Sequence, residues 1–273
     1  MHKIVLARYT ESLDWIVHIP ETFEIYIYNK GPEITQPAVI KKAHHIVNRP
    51  NEGRESETYL YHMLVETEND DDFTVYAQGD PFTHSPDFLR LLQRYQEWDD
   101  LQPLAWQWRA DRNIPPSMVL NDYEQQLKGR LRVRPERFSL YTWNPLEFYD
   151  EGAYANGRDY RTIHGNLNEG INIASHFLAL AKLPEMAKQA EENALGIFAY
   201  GAIFAARNSL VKELPVESAK LLYKASLGHR IYGYILERMW LHLFGAEFEL
   251  PKTQPAKMDA YDSLEEPHLV SHG

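Results

Sequence analysis

The first third of the chain alternates between short β-branched segments and amphipathic segments with helical spacing. Residues 3–7, 23–28 and 73–77 have the composition of strands, and the second and third of them run into glycine-containing turns. Residues 55–65 and 88–95 carry apolar side chains on one helical stripe. Strands that alternate with helices predict an α/β protein with a single domain, in which a mostly parallel sheet is flanked by helices.

The pattern is weaker in the middle of the chain and returns near the end. Further helices are expected at residues 10–17, near 171–183, at 216–227 and at 231–244. The proline-containing region 106–193 is otherwise expected to hold long loops and an extra ribbon. The domain should span residues 1–249, and the acidic residues 250–273 should form a loosely packed arm.

The net charge of the chain indicates which kinds of partner it can bind. The net charge is −11, whereas a sequence-independent nucleic-acid binder relies on Lys and Arg, so nucleic acid is an unlikely partner. One basic cluster is an exception, and it could be either a charged edge strand or a surface for phosphate groups. Its members are Lys128, Arg130, Arg132, Arg134 and Arg137.

Three features that the sequence lacks narrow the class of protein further. The chain has no cysteine, which excludes disulfides, thiolate nucleophiles and Cys-ligated zinc. The apolar start is too short for a signal peptide, and the nearly uncharged residues 196–206 are too few to span a bilayer. We therefore expect no membrane span and a cytoplasmic location.

The third predicted strand stops at Gln78-Gly79-Asp80-Pro81. Open α/β sheets bind ligands outside the carboxyl ends of their strands, so a carboxylate at this point is a candidate for chemistry. His84 follows four residues later and could contact phosphate or metal. By contrast, residues 70–72 are three aspartates that precede the strand, and we interpret them as a solvated turn at the opposite edge.

Several motifs resemble, in one shared order, an uncharacterised-domain family of fungi, bacteria and large viruses that is related to GT-A-type glycosyltransferases. The similarity covers roughly residues 3–95 and 195–245. The matching segments are residues 5–9 (VLARY), 27–31 (IYNKG), 53–60 (GRESETYL), 78–81 (QGDP), 201–207 (GAIFAAR) and 237–244 (ERMWLHLF).

The resemblance implies a single GT-A-like (nucleotide-diphospho-sugar transferase) domain. Residues 1–100 would form the nucleotide-sugar half, and residues 195–245 would form the acceptor side. Arg8 and Tyr9 would line the nucleotide pocket, and Asn29 and Lys30 would lie beside the ribose or base. The residues expected to reach the diphosphate or sugar are Asn51, Arg54, Gln78 and Asp80.

The resemblance also implies a divalent cation, Mn²⁺ or Mg²⁺, with Asp80 as its ligand. In this sequence Gln78 replaces the first carboxylate of the family's Asp-X-Asp motif, so a metal would depend on the diphosphate and water for its other ligands. The expected partners are a nucleotide-sugar donor, UDP- or GDP-linked, and a glycan or other hydroxyl acceptor.

Sugar transfer needs a group that stabilises the departing diphosphate and a base that deprotonates the acceptor hydroxyl. Glu237, on a helix whose other face is apolar, is the candidate base for an inverting single displacement. An ion pair with the adjacent Arg238 is the alternative role for Glu237, and pairing with Glu55 or Glu57 is the alternative for Arg54.

Three other functions remain open at this stage. A non-catalytic nucleotide- or glycan-binding module of the same fold is consistent with Gln78. A metal-dependent phosphoesterase would use Asp80, His84 and other histidines, but it needs several ligands around two metals. A viral enzyme that glycosylates DNA bases would place the arginine-rich segment on the backbone.

Overall fold

The structure is a computed structural model that describes residues 1–66, 69–105, 135–146 and 149–249. Its strands are β1 (His2–Arg8), β2 (Phe23–Asn29), β3 (His45–Asn48), β4 (Phe73–Gln78), β5 (Leu101–Pro103), β6 (Glu136–Ser139), β7 (Leu195–Phe198) and β8 (Phe204–Arg207). Its α-helices are α1 (Pro37–Lys42), α2 (Arg54–Val65), α3 (Phe88–Gln93), α4 (Glu151–Ile163), α5 (Ile173–Leu180), α6 (Pro184–Glu191), α7 (Asn208–Glu213), α8 (Val216–Gly228) and α9 (Ile231–Leu243).

A six-stranded, mainly parallel sheet forms the centre of the fold, with strand order β3-β2-β1-β4-β8-β5. Strands β1 to β4 are parallel, whereas β8 is antiparallel to both of its neighbours. After β1 the chain builds the sheet in one direction through β2 and β3, and β4 then lies on the other side of β1. The carboxyl ends of β1 and β4 therefore border the topological switch point, where open α/β sheets bind ligands.

Both faces of the sheet are covered, which explains why its strands are apolar on both sides. Val5 of β1 packs into one apolar cluster with α2 and α9, and Ile4 and Leu6 pack into a second cluster with α1 and α3. Helices α2 and α9 also contact each other. The first turn of α2 and the middle of α9 consequently reach the same end of the sheet.

The prediction of an α/β protein with a mostly parallel sheet is confirmed, including its first, second and Phe73 strands. The helices expected at residues 55–65, 216–227 and 231–244 are also present, within a residue of the observed bounds. An antiparallel pair, β6–β7, is present, but only β6 lies in the region 106–193 where a ribbon was expected. Gly245, at φ 102°, follows the end of α9 as expected of a glycine after a helix.

The observed elements differ from the predicted ones in three parts of the chain. Residues 10–17 form a loop that leads into the short 3₁₀ helix Asp14–His18. Leu13 and Ile16 already bury their side chains in the second apolar cluster, so a longer helix is not needed to cover this side of the sheet. Helix α1 and strand β3 were missed, since β3 is a short, largely exposed edge strand. The middle of the chain contains α4, α5 and α6 where one helix was expected. Lys182, at φ 57°, separates α5 from α6.

Among the described residues, no helix has the length and apolar character that crossing a bilayer requires. The basic residues Lys128 to Arg134 and the expected arm after residue 249 lie outside the described part of the chain. The three aspartates at 70–72 do form a turn before β4, where Asp72 pairs with the N-terminal amine at 2.9 Å.

Candidate functional site

Gly201 joins two segments that are far apart in sequence. The amide of Gln78, at the end of β4, donates to the Gly201 carbonyl at 3.0 Å, and the Gly201 N–H donates to Oε1 of Glu237 at 3.0 Å. Nearby, Nη1 of Arg54 donates to the hydroxyl of Tyr234 at 2.9 Å. We call the resulting group the central cluster; it consists of Arg54, Glu55, Gln78, Asp80, His84, Tyr200, Gly201, Tyr234 and Glu237.

The backbone of the central cluster is conformationally restricted. Gly201 has a φ of 65°, and a Cβ at this position would lie 2.8 Å from Cδ2 of His84. Ala202 and Arg54 also have positive φ angles, 55° and 54°, although neither is a glycine. Strained backbone of this kind is concentrated at functional sites in folded proteins.

The carboxylate of Glu237 is held in position by one hydrogen bond and keeps one oxygen available. Its carboxylate is half-buried, and one oxygen accepts the Gly201 N–H, while the second has no hydrogen-bond partner in the described part of the chain. Arg238, the next residue, pairs with Asp150 at 3.5 Å. The carboxylate can thus accept a proton from a bound molecule without breaking an ion pair.

His84 packs against Gly201 and lies 4.6 Å from the ring of Tyr200. Its Nδ1 atom is buried and has no hydrogen-bond partner among the described residues. Burial lowers the pKa of His84, and the negative charges of Glu237 and Asp80 oppose this shift. Burial thus favours the neutral imidazole of His84, and the negative charges of the two predicted site carboxylates act on it.

Glu55 belongs to the central cluster, although the sequence suggested only that it could pair with Arg54. Its carboxyl is buried, with Oε2 3.4 Å from Nε of Arg54. Burial raises the pKa of Glu55; Arg54 lowers it, and Glu237 raises it further. The available signal was its position inside the Gly53-Arg54-Glu55 motif.

Arg54 is half-exposed and lies over the ring of Tyr234, with its guanidinium carbon 4.5 Å from the ring centroid. The alternative role of Arg54, pairing with Glu55, is present in the structure. That ion pair and the hydrogen bond to Tyr234 leave Nη2 without a hydrogen-bond partner among the described residues. Arg54 is therefore held in position and still able to contact an anion.

Asp80 is exposed at the carboxyl edge of β4, as predicted. Its Oδ1 accepts the N–H of Phe82 at 3.1 Å, which forms an Asx turn, and the residue is exposed. The described residues contain no group of three or more His, Asp or Glu side chains positioned for a metal ion. A divalent ion at Asp80 would accordingly take most of its ligands from a diphosphate and water.

Arg8 and Asn29 meet at the ends of β1 and β2, where they are paired in register. Nη1 of Arg8 donates to Oδ1 of Asn29 at 2.7 Å, and Nε donates to the Glu11 carbonyl at 3.2 Å. The Nη2 group of Arg8 has no partner among the described residues. Tyr9, the next residue, is 48% exposed, so its ring is accessible at the switch point.

Asn29 and Lys30 hold loops together. The Asn29 amide donates to carbonyls of the following turn and to Asn48. The Lys30 ammonium is buried and contacts the carbonyls of Glu52 and Arg54, together with Oε2 of Glu57 at 2.7 Å. These three acceptors occupy its three donors, so none is left for a ribose or base. Asn51 is exposed in the loop that these contacts support.

A surface depression of about 420 Å³ lies apart from the central cluster, next to α1. Two of its polar side chains are paired: Lys42 with Glu21 at 2.5 Å, and Nδ1 of His44 with the Ile25 N–H at 3.0 Å. Lys41 also lines it and is exposed, but the lining side chains include no carboxylate beyond the paired Glu21 that could act with it as a catalytic pair.

Comparison with known proteins adds no identification, since no family model, no curated protein and no solved structure matches this chain.

Proposed function

We propose that this protein is a glycosyltransferase that moves a sugar from a nucleoside-diphosphate donor to a hydroxyl acceptor, with inversion. One observation carries the proposal: Glu237 is held by Gly201 beside the Gln78-Gly79-Asp80 edge of β4, next to the switch point. The strand order, with one antiparallel strand beyond β4, is compatible with the GT-A-like fold that the sequence resemblance implies.

The donor would bind across the ends of β1 and β4. Arg8 and Arg54 each keep one terminal amino group, Nη2, without a partner among the described residues, and this group can donate to a phosphate oxygen. Tyr9 offers an exposed ring on which a base can stack. Asn51, exposed in the loop before α2, is proposed to approach the sugar or diphosphate.

The acceptor hydroxyl would be deprotonated by Glu237. In the single displacement, the acceptor oxygen attacks the anomeric carbon while its proton moves to the free carboxylate oxygen of Glu237. The bond between the anomeric carbon and the diphosphate breaks, and its electron pair leaves with the diphosphate. Arg8 and Arg54 stabilise the charge that develops there.

A divalent ion, if the donor brings one, would be held by Asp80 and would neutralise part of the diphosphate charge. Asp80 supplies one carboxylate, and Gln78 is bonded to Gly201 through its amide nitrogen. The chain's own contribution to diphosphate binding is therefore mainly cationic.

A nucleotide- or glycan-binding module without catalysis is the second candidate. It is favoured by Gln78, which stands where the family motif has a carboxylate and which makes a structural hydrogen bond to Gly201. Such a module would bind a nucleotide sugar but would release no nucleoside diphosphate.

The test is a thermal-shift screen of UDP- and GDP-sugars, with and without Mn²⁺, followed by an assay for released nucleoside diphosphate. A ligand at about 100 times its Kd should add about 2.7 kcal/mol to the free energy of unfolding. Stabilisation with slow hydrolysis supports the transferase, and stabilisation without hydrolysis supports the binding module. Failure of every donor to stabilise the protein contradicts both.

A further inference from the structure

Exposed aromatic side chains lie close to the start of α4. Tyr149 is 68% exposed and Tyr154 is 41% exposed, and their ring centroids are 6.3 Å apart. Leu146, nearby in sequence, is 45% exposed. Large apolar side chains that are exposed together, rather than singly, are typical of a contact surface.

A carboxylate lies next to these rings. Asp150 caps α4, because its Oδ1 accepts the Ala153 N–H at 3.0 Å. Its Oδ2 is 3.5 Å from Nη2 of Arg238, a separation wider than a hydrogen bond. The cap fixes the position of the Asp150 side chain and leaves Oδ2 able to accept a further hydrogen bond.

Arg238 has unused donors in a buried position. Its side chain is 3% exposed, and its guanidinium carbon lies 4.3 Å from the ring centroid of Phe198. Nε and Nη2 have no hydrogen-bond partner in the described part of the chain. Buried donors without partners are costly and uncommon, so their presence beside an accessible carboxylate points to a ligand with hydroxyl oxygens.

Tyr200 connects this group to the central cluster. Burial raises the pKa of the Tyr200 phenol to about 12, and the negative charges of Asp150 and Glu237 contribute to the rise. Arg238 lies over the ring of Phe198, whose centroid is 5.7 Å from that of Tyr200, and Arg238 follows Glu237 directly in α9. Arg238 and its partner Asp150 are therefore next to the proposed base.

We propose that Tyr149, Tyr154, Asp150 and Arg238 bind a neutral saccharide that serves as the acceptor; this inference rests on the proposed transferase function. Tyrosine rings can pack on the C–H faces of a sugar, and Asp and Arg can bond to neighbouring hydroxyls. Among the described residues, the charges that act on the Tyr200 phenol are the carboxylates of Glu136, Asp150 and Glu237 and the cation Arg238, so an acidic acceptor is repelled at this point.

The experiment measures, by saturation-transfer NMR, how tightly the full chain binds lactose, cellobiose and a sialylated lactose. The variants are Tyr149→Ala and Tyr154→Ala, and the control is Ile163→Ala, which removes a side chain 39% exposed at the far end of α4. Each tyrosine variant should weaken binding of the neutral sugars at least about threefold, as expected for loss of one aromatic contact. The control should bind like the wild type.

Donor hydrolysis without acceptor, measured on the same proteins, separates the two proposals. Ile163→Ala, which lies outside both proposed sites, should hydrolyse donor at the wild-type rate. Absence of binding by both neutral sugars, equal binding by all four proteins, or tighter binding of the sialylated sugar overturns the saccharide site. If the wild type releases no nucleoside diphosphate, the transferase proposal fails, and the sugar-binding result alone decides this inference.

Discussion

A buried histidine far from the exposed surface should make the fold sensitive to acid. His242, on α9, is 2% exposed and stacks on Phe248 at a centroid distance of 3.9 Å. Its Nε2 accepts the Ile197 N–H at 2.9 Å, and its Nδ1–H donates to the Ala246 carbonyl at 2.9 Å. This arrangement fits only the neutral ring, because a proton on Nε2 would face the Ile197 N–H.

The magnitude follows from proton linkage. Burial lowers the pKa of His242 to about 4, from a value of 6.5 when the chain is unfolded. The unfolded chain therefore binds more protons, so stability is present above pH 6.5 and is lost as the pH falls through 4. At about pH 5, the lowered pKa of His242 should therefore reduce the free energy of unfolding by about 2 kcal/mol relative to its value well above pH 6.5.

The assay is urea unfolding of the wild type and of His242→Gln at about pH 7.5 and about pH 5. The variant should be less stable at the higher pH, but its loss between the two pH values should be about 2 kcal/mol smaller than that of the wild type. His18→Gln, which changes an exposed histidine, is the control and should behave like the wild type. Equal losses in the wild type and His242→Gln would refute the reasoning.

Three further predictions concern the site. Asp80→Asn should lower turnover more than about tenfold while urea unfolding stays unchanged, since the carboxylate is exposed; near-normal turnover would remove Asp80 from the site. Gly201→Ala should lower the free energy of unfolding, measured by thermal unfolding, by at least about 1 kcal/mol, because Gly201 has a positive φ and the added methyl group would contact His84. The control is Gly228→Ala, where the added methyl group meets open space and the free energy of unfolding should not change. Lys30→Met should destabilise the fold by about 3 kcal/mol by leaving the buried Glu57 carboxylate with fewer partners. A loss of donor affinity without a loss of stability would instead place Lys30 in the pocket.

The sequence was sufficient to predict three of the four parallel strands, β1, β2 and β4, and the carboxyl edge at which β4 ends. Apolar strands and amphipathic helices in alternation leave few other arrangements, and the strand that stops at Gln78-Gly79-Asp80 marks the edge directly. The position of Glu237 near that edge was also expected, because the stripe of α9 leaves this residue on the less apolar face.

The rest depends on long-range contacts that local pattern does not record. Gly201 has its role only because Gln78 and Glu237 reach it from two other elements, and the short apolar run around it does not reveal this. The saturated contacts of Lys30 depend on the fold of the following loop. Strand β3 was missed because an exposed four-residue edge strand has no apolar alternation.

The most direct test of the proposed function is the kinetic effect of Glu237→Gln on sugar transfer, measured beside donor affinity. A general base contributes about 10² to 10⁴ in rate, so transfer should fall at least about a hundredfold while the donor Kd changes less than about twofold. Glu213→Gln, on the exposed end of α7, should leave both unchanged. Transfer by Glu237→Gln at a rate close to that of the wild type would contradict the assignment of Glu237 as the base and, with it, the proposed mechanism.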